Sequence, residues 1–483
     1  MLNLHEIFEK YNITSVTDDT REVVEGCLYF AVKGKKFNGE DAAAEMLAKG
    51  AAAIVTENDL GLDGQLVVGN VRLEYARAVS HYYGNPTEKL TLVGITGTNG
   101  KTTTATLVRF ILTMAGHKCG FIGTTGYDAC RADGEVETAT LTTPTQKDLY
   151  RLFSEMVKNG ATHCVMEVSS QALAQYRLAD EMFEVAVFTN LSQDHIDVHG
   201  SFECYYQAKK RLFTMCKAAI ICVDDKHGKR LSEELKRELD IPVLEYCTDD
   251  YADFYALNIK TGNSSVSYLL SDYETGNSSA VKLGMPGLFN VANSIAAIAA
   301  CKRIGVEAAD SCAALSDFSG VRGRCEVIHS GEFTVICDYA HTEDALLKIL
   351  TCVRSFAKRR VICLFGAAGE RDADKRSAMG ETVAKYSDYL VVTSDNPRFE
   401  NPEDIINQVV SSLAEKAKSK KAKNLTPYKT FVDRREAIEF ALSEADENDI
   451  VLLCGKGHEA YQVIGDEYQP FDEREIVKEL LKD

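Results

Sequence analysis

The sequence predicts an α/β protein of three domains: a central parallel sheet flanked by a small N-terminal α/β domain and a larger C-terminal one. Three observations lead there. Short apolar runs alternate with helix-like stretches over most of the chain, the pattern of a mostly parallel sheet covered by helices. A glycine-rich turn, Gly94-Ile95-Thr96-Gly97-Thr98-Asn99-Gly100-Lys101-Thr102-Thr103, stands between one such run and the helix-like stretch after it. And 483 residues are more than one hydrophobic core ordinarily serves.

Taken in order, residues 27–32 and 51–55 read as short strands with helix-like 40–49 between them, a small α/β unit. Turn chemistry in Tyr83-Gly84-Asn85-Pro86-Thr87 closes it, so the N-terminal domain is expected over 1–88. The run 90–95 opens a buried strand and with it the central domain, expected over 89–323. Leu107, Phe110, Ile111 and Met114 form one apolar helix face ended by Gly116, and buried strands are expected at 164–168, 185–188 and 219–223. Residues 253–283 change period: Val266, Tyr268 and Leu270 alternate between the turns Thr261-Gly262-Asn263 and Thr275-Gly276-Asn277, as in a β-hairpin appendage. Runs at 333–337, 361–365, 390–393 and 450–454 begin a second β-α series, which predicts a Rossmann-like α/β domain over 324–483. The lysine-rich stretch 416–423 reads as a solvated helix face or loop.

Composition narrows the class. An apolar fraction of 45% and a charged fraction of 26% fit a soluble globular protein. Glu6, Glu9 and Lys10 interrupt the N-terminus, and no apolar run is long enough to cross a bilayer, so neither secretion nor membrane insertion is expected. Fifteen cysteines, scattered singly, suit a reducing compartment, and a cytoplasmic protein is expected. A formal charge of -18 repels nucleic acid, so any phosphate-bearing ligand needs a local cluster of positive charge.

The glycine-rich turn supplies such a cluster. Its glycines let backbone N–H groups face an anion and the helix start adds partial positive charge. Lys101 can reach β- and γ-phosphates and the Thr102 hydroxyl can ligate Mg2+. Ile95 stands where the general phosphate-loop pattern has its first glycine spacing, so this is a shorter variant, GxxGKT. Glu167 follows a buried strand, where open α/β sheets place their ligands, and is a candidate metal carboxylate. His195, in Asn190-Leu191-Ser192-Gln193-Asp194-His195, reads from its residues alone as a hydrogen-bonded loop side chain, because Mg2+ prefers oxygen. Lys209, within Lys209-Lys210-Arg211, reads as a surface lysine.

Written as Gly97-Thr98-Asn99-Gly100-Lys101-Thr102, the loop resembles that of the Mur ligase family, and the resemblance extends over nearly the whole chain. It is strongest to the branch that adds a diamino acid to a UDP-linked muramoyl dipeptide. The resemblance implies an ATP-dependent ligase that activates a carboxylate as an acyl phosphate and then joins it to an amine, with Mg2+ and a CO2-derived carbamate on Lys209. By the same resemblance Lys101, Glu167, His195, Lys209 and His341 are catalytic, and Thr102, Glu167, His195 and carbamylated Lys209 hold metal. Gly97, Thr98, Asn99, Gly100, Lys101, Thr102 and Thr103 would bind ATP, together with Asn290, Asn293, Arg324 and Asp338. Thr20, Thr142, Thr143, Ser169, Gln175 and Arg177 would hold the nucleotide-peptide.

Arg371, Asp395, Asn396, Pro397, Arg398, Gly455 and Glu459 correspond to the family's amino-acid contacts. An arginine at 398 can pair bidentately with a carboxylate, which suits a side chain ending in a second amino-acid head, as in meso-diaminopimelate. Lysine would leave that guanidinium unpaired. Partners are therefore expected to be the nucleotide-peptide and a diamino acid, with no nucleic acid and a monomeric chain. The sequence departs from the family pattern at Gln171 (usually histidine), Cys325 (methionine), Glu343 (proline) and the stretch Phe365-Gly366-Ala367-Ala368-Gly369-Glu370. Alternative readings are a related ligase adding L-lysine or another amino acid, including the folylpolyglutamate type, and a non-catalytic nucleotide-binding paralogue.

Overall fold

The structure, a computed structural model, describes residues 2–34, 37–193, 196–371, 373–418 and 425–482. The chain divides into two compact units, Met1–Phe254 with Ala296–Ser311, and Tyr255–Ile295 with Cys312–Asp483.

The first unit opens on a four-stranded parallel sheet, β1 (Ser15–Thr17), β2 (Cys27–Phe30), β3 (Ala51–Thr56) and β4 (Gln65–Val67), paired in that order. The expected helix at 40–49 begins as a tight 3-10 turn, Gly39–Ala42, and becomes α-helical over Ala43–Lys49. It ends at Gly50, whose φ of +116° favours glycine. Tyr29, Ile54, Val23 and Met46 fill the core beneath it. Two ion pairs tie this region to the chain that follows: Arg77, on the helix Val71–Tyr82, meets Asp180 at 2.6 Å, and Lys147 meets Glu22 at 2.7 Å.

The same unit continues through β5 (Thr91–Thr96), β6 (Cys119–Gly123), β7 (Gly126–Asp128), β8 (His163–Glu167), β9 (Val185–Phe188), β10 (Ala219–Cys222) and β11 (Val243–Cys247). Their spatial order is β11-β10-β9-β5-β8-β6-β7, parallel except for the β6–β7 pair. β9 and β10 are wholly buried, which is why they read as unbroken apolar runs. Gly94 in β5 has a structural reason: a β-carbon there would lie 2.9 Å from the ring of Phe183. The helix Lys101–Met114 stops before Gly116, at φ +86°, as expected. Its buried stripe is Leu107, Val108, Ile111 and Leu112, so the face is rotated from the one the sequence predicts: Met114, the last helical residue, is exposed.

The second unit contains β12 (Phe254–Thr261) from its second residue on, β13 (Val266–Asp272) and β14 (Asn277–Leu283), in the order β14-β13-β12. Three strands replace the expected hairpin, the added one being β12, whose outer half alternates too weakly to signal itself. Next come β15 (Glu326–Ser330), β16 (Thr334–Asp338), β17 (Val361–Phe365), β18 (Tyr389–Val392), β19 (Tyr428–Thr430) and β20 (Ile450–Cys454), ordered β15-β16-β20-β17-β18-β19. All neighbours are parallel except β15–β16. Successive residues of a strand point to opposite faces, and two cores result. Ile336, Cys363, Leu390 and Leu452 face the helices Glu343–Phe356, Asp374–Tyr386 and Pro402–Lys418. Val335, Ile362, Val391 and Val451 face Arg434–Ser443 and Glu473–Leu481. A hairpin of β21 (Tyr461–Ile464) and β22 (Glu467–Pro470) completes the unit. The lysine-rich stretch begins on the helix Pro402–Lys418, and its part from 419 onward lies outside the described residues. Among the described residues no helix is long and apolar enough to cross a membrane. The cysteines are all free and, apart from Cys130 and Cys204, buried.

Candidate active site

In the first unit the glycine-rich turn links β5 to the helix Lys101–Met114 at the carboxyl edge of the sheet. Gly97 and Gly100 take φ of +145° and +86°, and a β-carbon on Gly97 would collide with Thr189 Oγ1. Two residues after β9 prop the turn. Asn190 Oδ1 accepts from Asn99 N–H at 3.1 Å, and Thr189 Oγ1 donates to the Asn99 carbonyl at 2.6 Å. The helix carries no side-chain cap on Gly100, so its first amides are presented at the turn. Lys101 Nζ folds back onto the carbonyls of Gly97 (2.9 Å) and Thr98 (2.8 Å), while Thr103 is buried.

Lys209, far from being a surface residue, is 2% exposed, and its Nζ donates to the Gly97 carbonyl at 2.7 Å and lies 4.6 Å from the Tyr205 ring centroid. The Tyr205 hydroxyl is 3.1 Å from Thr98 Oγ1. Thr102 Oγ1 donates to Glu167 Oε2 at 3.0 Å, and Glu167 also accepts from the Thr124 N–H (2.8 Å) and hydroxyl (3.2 Å). Thr142 Oγ1 is 3.2 Å from that Thr124 hydroxyl. Among the described residues no group of three His, Cys, Asp or Glu side chains forms a metal cluster. One carboxylate surrounded by hydroxyls is nevertheless an all-oxygen donor set of the kind Mg2+ takes together with phosphates and water. His195 lies outside the described residues.

Beside Glu167 a cavity opens, lined by Thr142, Thr143, Ser169, Gln171, Arg177 and His199 among others. Thr143 is its keystone: the hydroxyl donates to the Glu167 carbonyl at 2.8 Å and accepts from Ser169 N–H at 3.0 Å. Arg177 donates to the Thr143 carbonyl and, through Nη2, to Gln175 Oε1 at 2.9 Å. Burial lowers the Arg177 pKa, which marks a guanidinium held in a site of low polarity. His199 Nε2 is 3.0 Å from Ser170 Oγ. Thr20 sits apart in the loop after β1, its carbonyl accepting from Lys49 Nζ at 2.7 Å, beside an Asp19 carboxyl that Arg21 holds down to about 2.

In the second unit four loops leave the carboxyl ends of β16, β17, β18 and β20 and converge. After β16, Asp338 accepts from the N–H groups of Cys325 (2.7 Å) and Ala340 (2.8 Å), and burial raises its pKa. Arg324 lies over the Tyr339 ring at 4.9 Å, and exposed His341 is tied through Nδ1 to the Tyr339 carbonyl at 2.8 Å. After β17, Gly369 N–H donates to the Asn396 carbonyl at 2.9 Å. Arg398, in the loop after β18 and with φ +52°, donates from Nη1 to the Gly369 carbonyl at 2.7 Å. Asn396 Nδ2 donates to Glu459 Oε2 at 3.0 Å, and Pro397 is buried beside them. Gly455, at φ +112°, brings the loop after β20 against Asp395: a β-carbon there would sit 3.0 Å from Oδ2. Arg371 is exposed on the β17 loop. Asn290 and Asn293 lie buried in the first turns of the helix Leu288–Arg303, interlocked by a 3.1 Å hydrogen bond.

Residue reasoning missed several members of these networks. Thr124, Thr189, Tyr205 and His199 carry no motif. Lys456 and His458 stand between Gly455 and Glu459, two residues the sequence does single out, but carry no signal of their own. His458 is pushed down to about 3, first by burial and then by the guanidiniums of Arg324, Arg474 and Arg322.

The chain matches the Mur ligase family catalytic domain over residues 12–90, the Mur ligase middle domain over 95–301 and the Mur ligase glutamate ligase domain over 323–457. It belongs to the Mur ligase family. Its relatives include the UDP-N-acetylmuramoyl-L-alanyl-D-glutamate--2,6-diaminopimelate ligase of Caldanaerobacter subterraneus subsp. tengcongensis, 42% identical over 99% of this chain and 97% of that protein. The protein of the same name from Clostridioides difficile is 38% identical over 97% and 95%. A solved structure of a ligase of that name is 30% identical, covers 97% of this chain and 95% of its own, and superposes with a TM-score of 0.71.

Proposed function

We propose that the protein is an ATP-dependent acid–amino-acid ligase that joins meso-2,6-diaminopimelate to UDP-N-acetylmuramoyl-L-alanyl-D-glutamate, in peptidoglycan precursor synthesis. The observation that carries this is the glycine-rich turn connected through Thr102 to Glu167, at 3.0 Å, beside a cavity containing a buried arginine. Full-length relatives of that name support the choice of substrates. The three matched segments support domains at 1–88, 89–323 and 324–483, and the free cysteines support a cytoplasmic protein.

The chemistry follows from charge placement. ATP phosphates take the turn's amides, and Lys101 exchanges the carbonyls of Gly97 and Thr98 for β- and γ-phosphate oxygens. Thr102 and Glu167 would hold Mg2+, together with His195 and a carbamate on Lys209, and that site would supply charge neutralisation for the phosphates. Thr142, Thr143, Ser169, Gln175 and Arg177 hold the peptide so that its terminal carboxylate attacks the γ-phosphorus, ADP leaves, and an acyl phosphate forms. The amine of the diamino acid attacks that carbonyl and phosphate departs. Arg398 pairs with the distal carboxylate of the diamino acid and Glu459 accepts from its distal ammonium. Arg324, Asp338, Asn290 and Asn293 are assigned to the nucleotide, and His341 to the reacting groups.

Amine-dependent phosphate release tests the reading, with the nucleotide-peptide, ATP and a panel of amines. Release with diaminopimelate is expected. Release with lysine but none with diaminopimelate overturns the role of Arg398, and no release with any amine favours a non-catalytic nucleotide-binding paralogue.

A further inference from the structure

We propose that Lys456 is a positioning residue for the incoming amine, holding Glu459 and Asn396 in place and leaving one uncompensated carboxylate charge to receive a substrate ammonium. The proposal rests on the ligase reading above. Lys456 is fully buried, which is rare for lysine unless it is paired. Its Nζ lies 3.2 Å from Asp395 Oδ1 and 3.3 Å from Glu459 Oε2, and it donates to Asn396 Oδ1. Its hydrogen bonds go to Asn396 and Glu459, while Asp395 is held by charge alone, its Oδ1 accepting no hydrogen bond among the described residues. The same Asn396 oxygen accepts from Val463 N–H at 2.9 Å, and its amide donates to Glu459 Oε2 at 3.0 Å, so Lys456 sits at the centre of the network.

The charge count gives this network its direction. Two carboxylates, Asp395 and Glu459, face one ammonium. The nearby Arg434 guanidinium is matched by buried Glu473 at 2.7 Å and adds no net charge. Within this trio one negative charge remains; Asp395 Oδ1 accepts no hydrogen bond among the described residues but is sealed from solvent, so the oxygen a ligand can reach is on Glu459. Glu459 Oε2 is occupied by Lys456 and Asn396, whereas Oε1 takes a single long hydrogen bond from Tyr339 OH at 3.4 Å among the described residues. Oε1 is therefore the oxygen left for a cationic head, while Arg398, held on the Gly369 carbonyl, is kept for the carboxylate of that head. Without Lys456 the two carboxylates repel each other and Glu459 loses its aim.

Steady-state phosphate release by the full chain tests this, comparing wild type with K456M, E459Q and K456M/E459Q. K456M is expected to raise KM for diaminopimelate at least about tenfold, the worth of a hydrogen bond to a charged group. KM for ATP and for the nucleotide-peptide should hold within about twofold. Because Lys456 acts through Glu459, the double variant should match E459Q. An unchanged diaminopimelate KM in K456M, an equal rise in all three KM values, or a further tenfold loss from E459Q to the double variant overturns the proposal. If K456M does not fold, the comparison of E459Q with the charge-balanced double variant decides alone. A wild type that releases no phosphate with any diamino acid overturns the ligase reading itself, and this proposal with it.

Discussion

Glu181 offers a prediction whose size can be worked from the structure. It is buried beside Tyr150, whose hydroxyl donates to Oε1, while Oε2 has no hydrogen-bond partner among the described residues. Burial raises its pKa from 4.5 to about 7. The folded state therefore favours the protonated acid. In the unfolded chain the group ionises near 4.5, so the stability it contributes is fully present below that pH and is lost as pH rises through 7. The gap corresponds to roughly 3 kcal/mol. Glutamine mimics the protonated acid without titrating, so Glu181→Gln should leave stability at pH 4 nearly unchanged and add about 2–3 kcal/mol at pH 8. The chain has no tryptophan, so unfolding by urea is best followed by far-ultraviolet circular dichroism at both pH values. A stability difference between variant and wild type that is the same at pH 4 and pH 8 refutes the argument.

Other consequences are as direct. Lys101→Met should lower kcat by about 10²–10³-fold, measured by phosphate release, with the thermal midpoint unchanged. Gly97→Ala forces a β-carbon into Thr189 at a φ of +145°, so it should cost about 1–3 kcal/mol and abolish ATP binding in a calorimetric titration, whereas Gly116→Ala, with open space around it, should not abolish binding. Arg398→Ala should raise KM for diaminopimelate by about ten- to a hundredfold and leave that for L-lysine unchanged, read from the same amine panel.

Legibility in the sequence tracked burial. Strands such as Val185–Phe188, Val361–Phe365 and Ile450–Cys454 are apolar throughout because both faces are covered, and their limits could be read directly. Cys119–Gly123 went unseen although fully buried, since its two glycines hide the pattern; Gly120 leaves room for the Met156 side chain. Glu467–Pro470 is exposed at every position and gives no signal at all. The same logic divides the site. The phosphate turn is local, so its glycines, Lys101 and Thr102 announce themselves. Thr124, Tyr205 and Lys456 matter only because distant segments bring Glu167, Thr98 and Asp395 to them, and no spacing encodes such meetings. Lys209 was the sharpest case: flanked by Lys210 and Arg211 it looks solvated, yet the helix turns it onto the Gly97 carbonyl while its neighbour Lys210 pairs with Glu234 and Glu238.

The ties between the N-terminal sheet and the chain beyond it bear on anyone building hybrid enzymes. A cassette exchange at the turn near Glu88 would keep every strand of the donor module intact and still part Arg77 from Asp180 and Glu22 from Lys147. Arg77 is 14% exposed and its other partner, Glu74, only 6%, so an ill-matched acceptor would inherit an ion pair turned toward a hole rather than toward water. Chimeras should therefore carry Lys147 and Asp180 along with the module they anchor.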